Sequence, residues 1–282
     1  MNTSFVAFLN KRGIACASDT DNTLYALSRQ EPVALVVNSY SPIPWDSIIN
    51  AYLRQGEIAK HETFGDYARD FSNYLSKVKI NPAWKNLTED EGNIIFLGFG
   101  SDDVFPSAVE IQVHLDDKAS ELVCDIKSEQ GIDHYKRTGY YTLTRFETIQ
   151  PITHGVNDVA CLKLMEKQAA LIDIYKQRIL DAVKGTEYEE KIKKKLSEFD
   201  AFISFTDITF DQSNEQLNRI DTALDSFNVE DLVKVAEDFV DAKVQLDHLK
   251  SGGKGELPHT KELVVITRTE GIVYIKHCLF GL

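Results

Sequence analysis

The chain has 282 residues, with 31 Lys and Arg against 44 Asp and Glu, a formal charge of −13. Hydrophobic residues make up 43% and charged residues 27%, enough to build a sizeable core, which excludes disorder along the whole length. The acidic excess excludes bulk nucleic-acid binding, because phosphate attraction needs a basic surface.

Short strands and turns fill the first forty residues. Ser4 to Leu9 and Ile14 to Ser18 are apolar runs separated by the turn Asn10–Gly13, which predicts a hairpin with a loop of three to four residues. Thr23 to Leu27 is a third short run. Val33-Ala34-Leu35-Val36-Val37 is continuously apolar and predicts a strand buried on both faces. Pro44 stands where a helix begins, with Ile48, Ile49, Tyr52 and Leu53 at helical spacing. Thr63 precedes a second helix through Tyr67, Phe71, Tyr74 and Leu75.

Asn81 to Gly92, with Pro82 and an acidic cluster, reads as a surface loop. Strands return at Asn93–Phe99, Ala108–Leu115 and Glu121–Ile126. In the middle one, Val109, Ile111 and Val113 alternate with Glu110, Gln112 and His114, the pattern of a half-buried antiparallel strand.

After Gly155 the chain turns helical. Val156–Val183 and Glu187–Phe199 are predicted helices, and Lys191, Lys193, Lys194 and Lys195 form a solvated face of the second. Val229–Leu249 is an amphipathic helix carrying Leu232, Val233, Ala236, Phe239, Val240 and Val244, stopped by Ser251-Gly252-Gly253. Strands at Glu262–Thr267 and Ile272–His277, joined by a turn at Arg268–Gly271, close the sequence. Hairpin-linked strands with helices between their groups predict an α+β protein of two largely antiparallel sheets with helices outside them.

Four cysteines, Cys16, Cys124, Cys161 and Cys278, are scattered without ligand spacing, as expected of buried thiols in a reducing compartment. The opening MNTSFVAFLNKRG lacks the pattern of a secretory signal, and no apolar run approaches the ~20 residues of a membrane span. The expectation is a cytoplasmic protein that does not enter a membrane. With no GxxxxGK[ST], dinucleotide fingerprint or HExxH, no cofactor or metal is expected. Asp19-Thr20-Asp21-Asn22 and Ser101-Asp102-Asp103 read as Asx turns, and Gly98-Phe99-Gly100 as a bend.

Thr3-Ser4-Phe5-Val6-Ala7-Phe8, a turn, and then Gly13-Ile14-Ala15-Cys16-Ala17-Ser18-Asp19 resemble the start of proteasome-type N-terminal-nucleophile proteins, a group that includes proteasome β subunits and the bacterial heat-shock peptidase. Asp247-His248-Leu249-Lys250-Ser251-Gly252-Gly253 resembles the Asp-x-x-Ser-Gly-Gly at the end of a family helix, with one extra residue. The closing hairpin is similar to the family's last two strands. This resemblance covers most of 3–160 and 228–277. It implies a single domain over 1–282, a four-layer αββα sandwich of two mainly antiparallel sheets, with a helical insertion at about 165–227.

The resemblance also implies a chemistry. Thr3 takes the nucleophile position, its own α-amine would be the base, and Asp19, Asp247 and Ser251 match orienting positions. A free α-amine, with a reference pKa of about 7.7–8, suits that task. Three parts do not match. Met1 and Asn2 precede Thr3, so its nitrogen is an amide while they remain. The lysine belongs near Leu24, yet none occurs between Lys11 and Lys60, where the cations are Arg12, Arg29 and Arg54, and Arg29, the nearest to Leu24, cannot simply replace a lysine. His154 stands where a serine belongs.

Two readings follow. One is a diverged proteasome-like protein without peptidase activity, acting through a homo-oligomer, ring-like by resemblance, or through a protein partner held by the helical insertion. The other is a threonine-type peptidase or amide hydrolase that uses Thr3 after removal of Met1 and Asn2. A small-ligand sensor using the cleft around Asp19 and Asp247 is a third possibility.

Overall fold

The computed structural model describes residues 4–21, 23–28, 31–55, 61, 63–79, 84, 89–116, 121–143, 158–197, 219–250, 252 and 259–276. The chain divides into two compact units, one formed by 1–145 with 221–282 and the other by 146–220.

The first unit holds two five-stranded antiparallel sheets. In one, the hairpin β1 (Phe5–Asn10) and β2 (Gly13–Ser18) is flanked by β8 (Thr138–Thr142) beside β1 and by β9 (Glu262–Thr267) and β10 (Gly271–Lys276) beside β2. The other runs β3 (Leu24–Ala26), β4 (Val33–Val37), β5 (Asn93–Gly98), β6 (Ser107–Asp116) and β7 (Glu121–Gly131) in order. The first hairpin is tighter than expected. Asn10 pairs with Gly13, leaving only Lys11 and Arg12 as the loop.

Strand periodicity decides which core each side chain joins. Val33, Leu35 and Val37 of β4 enter one apolar cluster and Ala34 and Val36 enter another, so the continuous apolar run is buried on both faces. The first cluster combines β4, β5 and β6 with helices α1 (Trp45–Leu53) and α2 (Phe64–Leu75). At its centre Phe71 meets Tyr52 and Phe96 edge-on, with ring centroids 5.0 and 5.8 Å apart. Val109, Ile111 and Val113 point into it together, as their alternation predicts. The second cluster draws Phe5, Ala7, Leu9, Ile14, Cys16, Val264 and Ile266 from one sheet and Ala34, Val36, Ile95, Leu97 and Ala108 from the other.

The opposite face of β1 and β2 turns to helix α6 (Val229–Lys250), where Phe8 stacks edge-on against Phe239 at 5.5 Å. A reciprocal capping box starts this helix: Asp231 N–H donates to Asn228 Oδ1 at 2.8 Å, and Asn228 N–H to Asp231 Oδ2 at 3.4 Å. The expected surface loop before β5 ends in a short helix, α3 (Glu89–Gly92). Gly98 shows why a glycine marks the bend after β5. Its φ is +149°, and a Cβ there would lie 2.0 Å from the Pro32 carbonyl oxygen.

Asn10 is a buried polar anchor for the segment that leads into α6. Its Nδ2 donates to the Leu224 and Phe227 carbonyls at 2.8 and 2.9 Å, at the end of the helical segment 219–226. Asn10→Ala takes this donor from both carbonyls: the buried Leu224 carbonyl loses its 2.8 Å partner, while the Phe227 carbonyl keeps Arg12 Nη1 at 2.6 Å. It is expected to cost about 2 kcal/mol, read as a lower urea midpoint with an unchanged m-value.

In the second unit, helices α4 (Asp158–Val183) and α5 (Glu189–Ser197) are joined by a turn at Gly185, with φ +76°. Leu171, Ile174, Tyr175 and Ile179 of α4 are exposed, and so are Lys191, Lys193, Lys194 and Lys195 of α5. Among the described residues, no helix is long and apolar enough to cross a membrane.

Candidate functional site

The antiparallel register of β1 and β2 extends one step past the hairpin's open end. There Ser4 and Asp19 face each other: Ser4 N–H donates to Asp19 Oδ1 at 2.7 Å, and Asp19 N–H to the Ser4 carbonyl at 3.0 Å. Ser4 lies on the face shared by Val6 and Phe8, toward α6. The Lys243 ammonium arrives from that helix and donates to Ser4 Oγ at 2.7 Å and to Asp247 Oδ2, one turn further along, also at 2.7 Å. Ser4 is 1% exposed and Lys243 5%. The Asp247 carboxylate stands at the solvent edge. Burial raises the Asp19 carboxyl above the usual carboxylate range, and the Ser4 hydrogen bonds and the Lys243 charge work against that rise.

A second polar group sits where the chain passes from β2 to β3. Ser18, Thr20 and Thr23 share hydroxyl hydrogen bonds of 2.8 to 3.2 Å, and Ser39 donates to Thr20 Oγ1 at 3.0 Å. Beside them, Glu262 Oε2 on β9 accepts the N–H groups of Thr23 and Leu24, both at 3.2 Å. Glu262 is 2% exposed. Loss of hydration pushes its carboxyl up to about 7; the Asp21 charge adds to the rise, while the two N–H donors oppose it. The Cys16 thiol nearby is raised well above its ordinary range by burial and by Glu262, so it is no nucleophile near neutrality.

Comparison with family models, with curated proteins and with solved structures finds no match for this chain.

Of the residues singled out from the sequence, Asp19 and Asp247 fall in one constellation, joined through Ser4 and Lys243. Thr3, Ser251, Arg29 and His154 lie outside the described residues. Leu24, at the position of the sought lysine, is a buried member of the apolar cluster shared by the sheets. Lys243 is the residue that sequence reasoning missed. Its signal was legible: it continues the buried line of Leu232, Ala236 and Val240 on α6, where a helix otherwise places apolar side chains. A lysine there, four residues before an aspartate, marks a cation carried inward.

Of the two oxygen-rich stretches, Asp19–Asn22 ends on a residue outside the described ones, and Ser101–Asp103 is closed from its far end. Gly100 N–H donates to Asp103 Oδ2 at 2.7 Å. Among the described residues, no group of three His, Cys, Asp or Glu side chains is placed to hold a metal ion.

Proposed function

We propose that the chain is a proteasome-like protein of four-layer αββα architecture that has lost threonine-peptidase chemistry and acts through assembly or partner binding. The sheet orders support the fold reading. An N-terminal hairpin at the middle of one sheet, a closing β9–β10 hairpin at its edge, α6 packed on that sheet and α1 and α2 on the other suit four layers.

The single observation that carries the functional reading is Leu24. The hydrolytic mechanism needs an ammonium at that place to lower the hydroxyl's pKa. Leu24 instead fills an apolar core at 4% exposure, with its backbone N–H held by Glu262. The buried ammonium of Lys243 comes from a helix and is spent on Ser4 and Asp247.

That ammonium on a hydroxyl beside residue 3 is also what favours the second reading, a hydrolase using Thr3 after removal of Met1 and Asn2. Intact mass spectrometry of the protein from its native host, with labelling by a threonine-directed electrophile, separates the two. The expected result is retention of Asn2 and no adduct. A mass short by Met plus Asn, together with an adduct abolished in Thr3→Ala, overturns the proposal in favour of the hydrolase.

A further inference from the structure

A cleft of about 460 Å³ opens between the end of α1 and the last turns of α2, a volume within the range of small-ligand sites. Helical spacing lines up one wall of it. Asp70, Asn73, Tyr74 and Lys77 stand at i, i+3, i+4 and i+7, on one face of α2 and the turn that follows. Past Leu75 that turn is held by Lys77 N–H on the Tyr74 carbonyl and Val78 N–H on the Leu75 carbonyl, both at 3.0 Å. Tyr52 of α1 joins the wall. Its ring centroid lies 5.1 Å from that of Tyr74, and its hydroxyl donates to Asp70 Oδ2 at 2.7 Å.

The order of these groups along the cleft sets the chemistry of what fits. At one end is the Asp70 carboxylate, 48% exposed. A carboxylate accepts about four hydrogen bonds. The Tyr52 hydroxyl supplies one, and His61 Nε2, at 4.0 Å, stands too far off to supply another. Capacity remains for a donor, and with two tyrosine rings lining the same space an ammonium is the donor favoured. The other end holds the exposed Lys77 and Lys79, which attract an anion. Between the ends, the Asn73 side-chain amide both donates and accepts, as a peptide group does. A rise of ~1.5 Å per residue sets Asp70 and Lys77 ~10 Å apart along the helix. An extended peptide covers ~3.5 Å per residue, so about three residues span that distance.

We propose that this cleft binds a short peptide of about three residues by its two free termini. The α-ammonium sits on Asp70, the α-carboxylate on Lys77 and Lys79, and the amides between them face Asn73. The site does not rest on the assembly reading above.

Titration of the full chain with trialanine, followed by ligand-observed NMR at pH 7, tests this; at that pH the peptide's α-amine is mostly charged. A Kd on the order of 1 mM or below is expected. N-acetyl-trialanine and trialanine amide each lack one terminal charge, and each is expected to bind about tenfold more weakly. Asp70→Asn keeps an acceptor for the Tyr52 hydroxyl. It is expected to weaken trialanine about tenfold and to leave N-acetyl-trialanine unchanged. Lys77→Gln/Lys79→Gln is expected to weaken trialanine likewise while leaving the amide unchanged.

Circular dichroism checks the fold of each variant, and the blocked peptides on the wild type carry the same test should a variant fail to fold. No binding of trialanine up to about 10 mM overturns the proposal, as does equal affinity for either blocked peptide. Tighter binding of adenosine monophosphate, lost in Lys77→Gln/Lys79→Gln, overturns it in favour of a nucleotide site. The mass and labelling experiment above reads none of these outcomes, so the two proposals stand or fall separately.

Discussion

Replacement of Lys243 by alanine is expected to destabilise the fold by about 3 kcal/mol, and replacement by methionine by about half as much. The difference lies in what each change removes. Alanine deletes both the ammonium and the aliphatic stem that fills the space between α6 and the hairpin, so a cavity adds to the lost hydrogen bonds. Methionine keeps most of the stem. Both leave the Ser4 hydroxyl, 1% exposed, without its 2.7 Å donor.

Asp247 moderates the loss in either case. Its carboxylate is 46% exposed, so water takes over the lysine's place there, which keeps the cost at the low end for a broken buried pair. Urea denaturation with an unchanged m-value is the measurement. A change under about 0.5 kcal/mol in Lys243→Ala would place the residue among ordinary surface lysines and dissolve the constellation described here.

Glu262 sets the second large expectation, a pH dependence of unusual sign. A salt-bridged carboxylate stabilises a protein above its unfolded pKa. Glu262 does the reverse, because its folded-state carboxyl is raised from 4.5 to about 7. The folded state therefore holds the proton more tightly than the unfolded chain. This contribution is fully present below pH 4.5 and fades as pH rises to about 7. At roughly 1.4 kcal/mol per pKa unit, the span is on the order of 3 kcal/mol.

Glu262→Gln keeps an oxygen to accept the Thr23 and Leu24 N–H groups and cannot ionise. It is expected to melt higher than wild type at pH 8 and to converge with it near pH 4.5. The difference between the two curves isolates this residue from Asp19, whose carboxyl is also raised. A glutamine variant less stable than wild type at pH 8 would show that the charged carboxylate, with its two N–H donors, is the favoured partner.

The parts of the fold that were legible in the sequence are those where burial writes its own period. Val33–Val37 splits between two cores, and the Val109, Ile111 and Val113 alternation does what strand geometry demands. β8 was illegible, because Thr138-Gly139-Tyr140-Tyr141-Thr142 has no apolar alternation. Its place comes from pairing with residues more than a hundred positions earlier. β7 runs on past Ile126 to Gly131 through polar, largely exposed residues, held by its ladder to β6 rather than by a buried face.

Of the candidate site, Asp19 was singled out through the resemblance, and the hairpin register sets it opposite Ser4. Lys243 was not sought where it lies. The resemblance directed attention to a strand, while the cation came from a helix more than two hundred residues on.

The clasp between Thr138 and Asp221 has a consequence for how this chain can vary. Thr138 Oγ1 donates to Asp221 Oδ1 at 2.8 Å, and Arg137 pairs with Asp225 at 3.2 Å. The two stretches that border 146–220 are therefore fastened to each other inside the first unit. Closing a longer loop between fastened ends adds free energy only as the logarithm of its length. A change in the length of the intervening stretch is therefore expected to cost the ladders on either side little, because their register is held by the clasp.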